Sequence, residues 1–308
     1  MVDEVRAFGP ATVANLGAGF DILGLSVEGL GDVVTASRTE TQGVAPIEIL
    51  ETTAPLPRDP EKNVAGVAAN EVLRRGQAGF GVRLRLHKGL GVGTGLGSSA
   101  ASAAAAAVAV NALLETPLSK LDLVNACVEA EAVASGRHAD NVAAAVMGGL
   151  VFVQRLAPLM VTSLPVPDGV YIALASPQIV VETRAARAVL PTEVPRDVAV
   201  TQMGRLGAFV AACYSGDLQR FADTMIDELA ASHRYPLIPG AQGAVEWARR
   251  SGALGASLAG SGPTVFALCE GRAKAEEVAA GLVSEFADAG VECTLHISRI
   301  GAGGARTL

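Results

Sequence analysis

Cysteine is scarce and scattered in this chain of 308 residues. Cys127, Cys213, Cys269 and Cys293 form no CxxC pair, so they read as buried free thiols in a reducing compartment rather than as a disulfide or metal framework. Long apolar runs are missing too. The nearest candidate, Ala100 to Leu114, is Ala-rich and interrupted by Ser102 and Asn111, short of the ~18 residues that suggest a membrane span. The opening MVDEVRAFGP is acidic and broken by Gly-Pro, which is not the pattern of a secretory signal. A soluble, cytoplasmic protein with no membrane partner is expected. Lysine is nearly absent: it supplies 4 of the 24 basic residues, and the other 20 are arginine. Guanidinium is the better planar fork for carboxylate and phosphate, so an anionic ligand is expected to meet Arg. The net charge of −7 repels phosphate backbones at long range, and no nucleic-acid partner is expected.

Half of the residues are apolar and 18% are charged, which suits packed cores and argues against wholesale disorder. The length suggests two domains. Glycine is in excess, 35 of 308 residues against a usual ~7%, and it does not recur every third residue, so collagen is excluded. Strand character is expected at 3–8, 26–38, 82–86 and 150–155. Helices are expected at 63–75 with Asn63 as N-cap, from about Ser98 to Leu114, and from Ser119 to Ala134. SGRHADN (135–141) reads as a polar turn. Three prolines fall between Leu156 and Asp168 and place a boundary there, giving halves 1–160 and 161–308. The second half reads as strands at 170–176, 254–258, 264–269 and 291–298. Its helices are expected at 183–190, 197–214, 217–231, 240–251 and 273–288. Clustered strands and clustered helices without regular alternation predict an α+β fold.

The informative segment is GVGTGLGSSAA, residues 91–101. Its glycines allow a tight turn with amide groups facing inward. The helix that follows offers unpaired amide donors and its positive end to the same spot. Ser98 and Ser99 add hydroxyls, so a di- or triphosphate is the natural guest. No Walker string with its lysine occurs. Gly95, Gly97 and Ala100 do fit the short dinucleotide pattern G-x-G-x-x-A, but such a strand normally runs almost straight into the first glycine, whereas Leu86 is well separated from Gly95. Without a G-x-S-x-G elbow, neither serine reads as a hydrolase nucleophile.

GLGSSAA (95–101) resembles the ATP-binding motif of the GHMP kinases, with Gly91 where that family usually has Pro. PATVANLGAGFDILGLSV (10–27) resembles the N-terminal segment of the branch that phosphorylates homoserine, with Val13 for a usual Ser and Ala18 for a usual Pro. SLAGSGPTVFAL (257–268) resembles the family's C-terminal Gly-rich motif, and SGRHADN, TRAARAVLP (183–191) and RYPLIPG (234–240) are smaller matches. The resemblance spans nearly the whole chain in order. It implies an N-terminal ribosomal-protein-like α/β domain carrying the phosphate loop, and a C-terminal ferredoxin-like sandwich contributing the 257–264 loop. It further implies ATP as co-substrate, Mg²⁺, L-homoserine as the small-molecule substrate, and a homodimer.

Residue by residue, the resemblance matches Ser99 and Glu131 to the Mg²⁺ ligands. Lys88, Gly91, Gly93, Gly95, Leu96, Gly97, Ser98, Ser99, Ala100, Ala101 and Ser261 fall at or beside positions that hold the ATP phosphates. Asn15, Asp21, His138, Arg187 and Arg234 match positions that hold homoserine, Asp21 taking the ammonium and an Arg the carboxylate. That division suits the chemistry, because an amino acid carries one cation and one anion. Asn141 takes the place of the Asp that mevalonate-type relatives use as a base; Asp140 and His138 are the other candidates, and the proton otherwise leaves to the phosphate itself. Taken singly, Glu131, Arg187 and Arg234 read as solvated charges, His138 with Asp140 as a turn cap, and Asp21 as an Asx-turn. Two other readings stay open: a kinase of this family acting on another alcohol such as mevalonate or a sugar, and a nucleotide-binding regulator without catalysis. The charges of Asp21, Arg187 and Arg234 argue against the first, and Ser99 with Glu131 against the second.

Overall fold

The computed structural model describes residues 2–52, 54–301 and 303–308. The first half contains β1 (Glu4–Asn15), β2 (Gly19–Thr39), β3 (Gly43–Val44), β4 (Glu48–Leu50), α1 (Val64–Arg75), β5 (Gly81–His87), α2 (Ser98–Asn111), α3 (Lys120–Ala134), α4 (Asp140–Met147), β6 (Leu150–Leu156) and β7 (Leu159–Leu164). The second contains β8 (Val170–Pro177), α5 (Thr183–Ala188), α6 (Arg196–Ser215), α7 (Leu218–Thr224), α8 (Ala231–Arg234), α9 (Ala241–Arg250), β9 (Gly255–Leu258), β10 (Val265–Glu270), α10 (Arg272–Asp288), β11 (Cys293–Arg299) and β12 (Arg306–Thr307).

The first sheet is organised by β2, which is long enough to serve two neighbours on one side. Its early part, at Leu23–Leu25, pairs with β6, and its later part, Val33–Thr39, pairs with β5. β1 runs antiparallel to both parts, with a register shift between Pro10 and Thr12. Proline cannot donate to a ladder, so it belongs at such an irregularity. β12 returns from the far end of the chain to pair with β1. The β6–β7 hairpin belongs to this first sheet, so the expected division at 160 falls inside β7, and the second sheet begins at Val170.

The second sheet has the order β11-β8-β10-β9, antiparallel throughout. With helices between β8 and β9 and between β10 and β11, this is the split β-α-β arrangement of a ferredoxin-like sandwich. Phe286, Leu282 and Val245 of α9 and α10 fill the core on one face. Phe209 and Phe221 of α6 and α7 stack against each other, ring centroids 4.8 Å apart, in a core that continues into β1 and β2.

Helix α2 shows why its sequence is rich in alanine. Ten of its residues, from Ala100 to Val110, are buried, and it runs between α1, α3, α4 and the first sheet. Only a methyl side chain permits such close approach on every face. At Gly9 on β1 even a methyl is too much: a Cβ there would lie 2.1 Å from the Ala101 carbonyl oxygen.

Most expected elements form where the periodicity places them. Asn63 caps α1, its side chain accepting the Ala65 amide, and Ser119 caps α3 by accepting the Asp122 amide. Two differences matter. The helix expected over 217–231 stops at Thr224, where the chain bends through 225–230 before α8; Asp227 accepts the amides of Leu229 and Ala230 in that bend. The polar turn 135–141 runs directly into α4, whose first residue is Asp140.

Gly9→Ala is expected to destabilise the fold by ~1–3 kcal/mol through overpacking against the α2 backbone. Urea denaturation followed by circular dichroism checks this, and an unchanged midpoint would contradict the packing described.

Candidate active site

A cleft of about 580 Å³ opens between the two halves, within the usual range for small-molecule sites. Its floor is the glycine loop. Gly93, Gly95 and Gly97 have φ of +74°, +81° and +62°, a region side chains rarely enter. A Cβ on Gly95 would stand 2.5 Å from the Gly262 carbonyl oxygen, and one on Gly97 would stand 1.9 Å from Thr12 Oγ1. The loop is therefore pressed between β1 and the 259–262 turn of the second half. Thr264 ties the two together, its amide and hydroxyl donating to the Thr94 carbonyl at 3.2 and 2.7 Å. Gly97 is the N-cap of α2 and brings no side-chain cap. Donors of the first turn of α2 thus meet the cleft, with the positive end of the helix behind them.

Beneath the loop lies a buried charge pair. Lys88 Nζ donates to Asp32 Oδ2, to Ser98 Oγ at 2.7 Å and to Ser102 Oγ at 3.1 Å. Asp32 Oδ1 accepts the Gly89 and Leu90 amides at 3.0 and 3.1 Å. Burial pulls the Lys88 ammonium down from its ordinary pKa, and the Asp32 carboxylate opposes that shift. Lys88 is thus held by protein groups at the base of the loop.

At the head of α2, Ser99 Oγ donates to both oxygens of Glu131, at 3.0 and 2.9 Å, and Ser135 Oγ donates to the same carboxylate. Burial raises the Glu131 pKa, while these two hydroxyls lower it. The Glu131 and Ser99 oxygens are hard ligands of the kind that suit a hard divalent cation. Nearby, Thr12 Oγ1 donates to Asn141 Oδ1 at 2.7 Å, which turns the Asn141 amide nitrogen away from Thr12. Asp140 is buried, and burial followed by the nearby Asp21 charge raises its pKa to about 7.

The other end of the cleft carries the paired charges. Arg187 makes a two-pronged contact with Asp21, at 2.9 and 2.8 Å, and His138 Nδ1 stands 3.8 Å from the same carboxylate. Asp21 has a φ of +60°, and its amide is held by Asn15 Oδ1 at 3.0 Å. Asn15 Nδ2 and Arg234 both donate to the Gly260 carbonyl, at 3.0 and 2.9 Å. Phe20 packs against both guanidinium groups, 5.5 Å from Arg187 and 5.4 Å from Arg234, a cation–π arrangement that sets the two cations side by side. Arg234 is buried, and that burial lowers its pKa, with Asp227 acting in the opposite sense.

The sequence-predicted residues therefore converge. Asn15, Asp21, Lys88, Gly93, Gly95, Gly97, Ser98, Ser99, Glu131, His138, Asn141, Arg187, Arg234 and Ser261 all line this cleft. Leu96, Ala100 and Ala101 instead face the cores behind the loop. Gly91 lies beside the Thr94 methyl. Sequence reasoning missed Asp32, Thr12 and Phe20. Asp32 shares β2 with the acids Asp21 and Glu28, so its charge alone did not single it out; Thr12 and Phe20 gave no signal apart from their place in the N-terminal motif.

Comparison with known proteins gives the family. The GHMP kinases N terminal domain family matches residues 63–149, and the GHMP kinases C terminal family matches 209–288. A homoserine kinase of Xanthomonas campestris pv. campestris is 39% identical, covering 99% of this chain and 94% of its own. One from Arabidopsis thaliana is 40% identical over 92% of this chain and 78% of its own. The crystal structure of homoserine kinase from Cytophaga hutchinsonii superposes with a TM-score of 0.95 at 35% identity, covering 100% of this chain and 98% of that one. Mevalonate kinase from L. major, at 15% identity and TM-score 0.69, shares the fold. The chain belongs to the GHMP kinase family and, within it, groups with the homoserine kinases.

Proposed function

We propose that the protein transfers the γ-phosphoryl group of ATP to the side-chain hydroxyl of L-homoserine, giving O-phospho-L-homoserine. The observation that carries the substrate assignment is the pairing at one end of the cleft: an acid, Asp21, against two arginines spaced by Phe20. An amino-acid substrate brings an ammonium and a carboxylate, and these exchange with the Asp21–Arg187 contact. A sugar or mevalonate offers no ammonium to Asp21.

The nucleotide reading rests on the α2 head and the glycine loop. Phosphate oxygens take the amide donors of 93–99, and the loop at 259–262 closes beside them. Leu56, Pro57, Val64, Leu86 and Val92 give the outer cleft an apolar wall suited to a flat base. Ser99 and Glu131 are the residues that would hold Mg²⁺. Such a site, with one carboxylate and the substrate's own phosphates, is how this ion is commonly held. When bound, the ion neutralises charge on the phosphate oxygens.

Phosphoryl transfer passes through a loose transition state, so positioning and charge neutralisation supply most of the catalysis. Asn141 is a positioning group in this reading: its oxygen is committed to the Thr12 hydroxyl, and an amide nitrogen cannot take a proton. The hydroxyl proton leaves to the transferred phosphoryl oxygens as the new P–O bond forms and the bond to the leaving oxygen of ADP breaks. Asp140 stands beside Asn141 as a carboxyl that is partly protonated near neutrality.

The direct test is Mg²⁺-dependent ADP release with L-homoserine, mevalonate and galactose. Homoserine is expected to raise release above the water rate; no rise with homoserine and a rise with either other alcohol would overturn the substrate assignment. Glu131→Ala should lower kcat by about 10²-fold or more, and an unchanged kcat at saturating Mg²⁺ would remove Glu131 as a ligand. Asp21→Ala should raise KM for homoserine about tenfold or more while KM for ATP stays within about twofold. Asp140 adds a pH dependence. Its folded pKa lies above that of an unfolded Asp, so the folded state holds the extra proton and loses stability as pH rises from about 4 to about 7. The loss is at most on the order of 4 kcal/mol. Asp140→Asn removes the titration, and its melting temperature should gain on that of the parent between pH 5 and 8. Parallel curves would contradict the assignment.

A further inference from the structure

We propose that Asp32 and Lys88 are positioning residues for the nucleotide, acting through Ser98: they fix the sense of its hydrogen bonding so that the Ser98 hydroxyl donates to a phosphate oxygen. This rests on the reading of the cleft as a nucleotide site.

An ammonium group has hydrogens to give and no lone pair to receive. Lys88 Nζ, 2.7 Å from Ser98 Oγ, therefore donates to it. Ser98 is an acceptor in that contact, and its own hydrogen turns elsewhere. The Leu90 carbonyl at 3.4 Å is at the long limit of a hydrogen bond, whereas the open side of Ser98 is the cleft. A phosphate oxygen is an acceptor and completes the pattern. Ser99, the next residue, has the opposite sense. Its hydrogen goes to Glu131, so its lone pairs are left for a cation. Two adjacent hydroxyls at one helix head are thus polarised in opposite directions, one for an anion and one for a metal ion.

Asp32 is what keeps Lys88 in this task. One carboxylate oxygen accepts the amides of Gly89 and Leu90, and the other accepts Lys88 and the Ser102 hydroxyl. The carboxylate is fully inaccessible and Lys88 nearly so. Moving the ammonium out to a phosphate would strand a buried charge, which is strongly unfavourable. Lys88 therefore serves the nucleotide from below the loop, and the phosphate contact expected of it passes to Ser98. The same carboxylate holds the backbone at the start of the loop, so loop position and hydroxyl sense are set together.

A binding cycle tests this. ADP and adenosine are titrated calorimetrically into four proteins: the parent, Ser98→Ala, the paired variant Asp32→Asn/Lys88→Met, and the combination of all three changes. The paired variant removes both charges at once, so neither is left buried alone. Circular dichroism checks that each is folded, and the neutral polar pair Asp32→Asn/Lys88→Gln replaces the paired variant in the cycle if that one is unstable. Ser98→Ala and the paired variant are each expected to weaken ADP about tenfold. The combination should be no weaker than either by more than about twofold, and adenosine affinity should stay within about twofold throughout. Additive losses, with the combination about a hundredfold weaker, would show that the pair does not act through Ser98 and would overturn the inference. An equal loss for adenosine would do the same, by showing a general loosening of the cleft. A parent protein that binds no ADP would refute the nucleotide reading itself, which separates the two failures.

Discussion

The head of α2 governs the architecture of this protein. A helix needs partners for its first amide groups, and here the N-cap is Gly97, which has no side chain to offer. The donors are left for the cleft, and the surroundings are shaped to keep them there. Alanine along α2 lets the helix sink into the first half. Glycine at 95 and 97 lets Thr12 on one side and the 259–262 turn on the other close in to contact distance. The cleft is consequently made by both halves, and neither half could build it alone.

Around that helix head, charge is arranged by burial. The protein carries a net −7 yet presents a site suited to anions. The positive potential is local: amide donors, a helix end, and two arginines held against one aromatic ring. Three carboxylates in and beneath the site are held by partners. Asp32 meets Lys88, Glu131 meets two hydroxyls, and Asp21 meets Arg187. Asp140 is buried with no cation or hydroxyl bonded to it among the described residues, and accepts the Asn141 amide. Its raised pKa follows first from burial and then from the nearby Asp21 and Glu131 charges, which the Asn141 amide and the Arg187 charge only partly offset.

Local signals were legible in the sequence wherever a single element creates them. The caps at Asn63 and Ser119, the Ala-rich helix after the glycine loop, and the strands at 82–86 and 170–176 form as their patterns predict. The glycine loop was readable because its residue types serve one purpose. What escaped depends on contacts between distant segments. Asp32 is one of three acids in β2, with Asp21 and Glu28, until the pairing of β5 with β2 brings Lys88 alongside it. Phe20 looks like any core aromatic until Arg187 and Arg234, well over a hundred positions away, settle on it. The break at 225–230 arises from Asp227 capping a bend and from Arg249 reaching the Met225 carbonyl, and neither is visible in helical periodicity. The bound at 160 cuts β7 for the same reason: Pro158 lies in the β6–β7 turn, and only the pairing of these strands shows that the first sheet runs on to Leu164.

The central claim is that the loop at 91–99, the α2 head and the 259–262 turn form one phosphate site, while Asp21, Arg187 and Arg234 form a separate amino-acid site in the same cleft. Hydrogen–deuterium exchange with each ligand in turn tests it most directly. A non-hydrolysable ATP analogue with Mg²⁺ should slow exchange at 93–101 and 259–262, and L-homoserine alone should slow it at 15–21 and 183–188. Protection of the same segments by both ligands, or of neither region by its own ligand, would contradict the account.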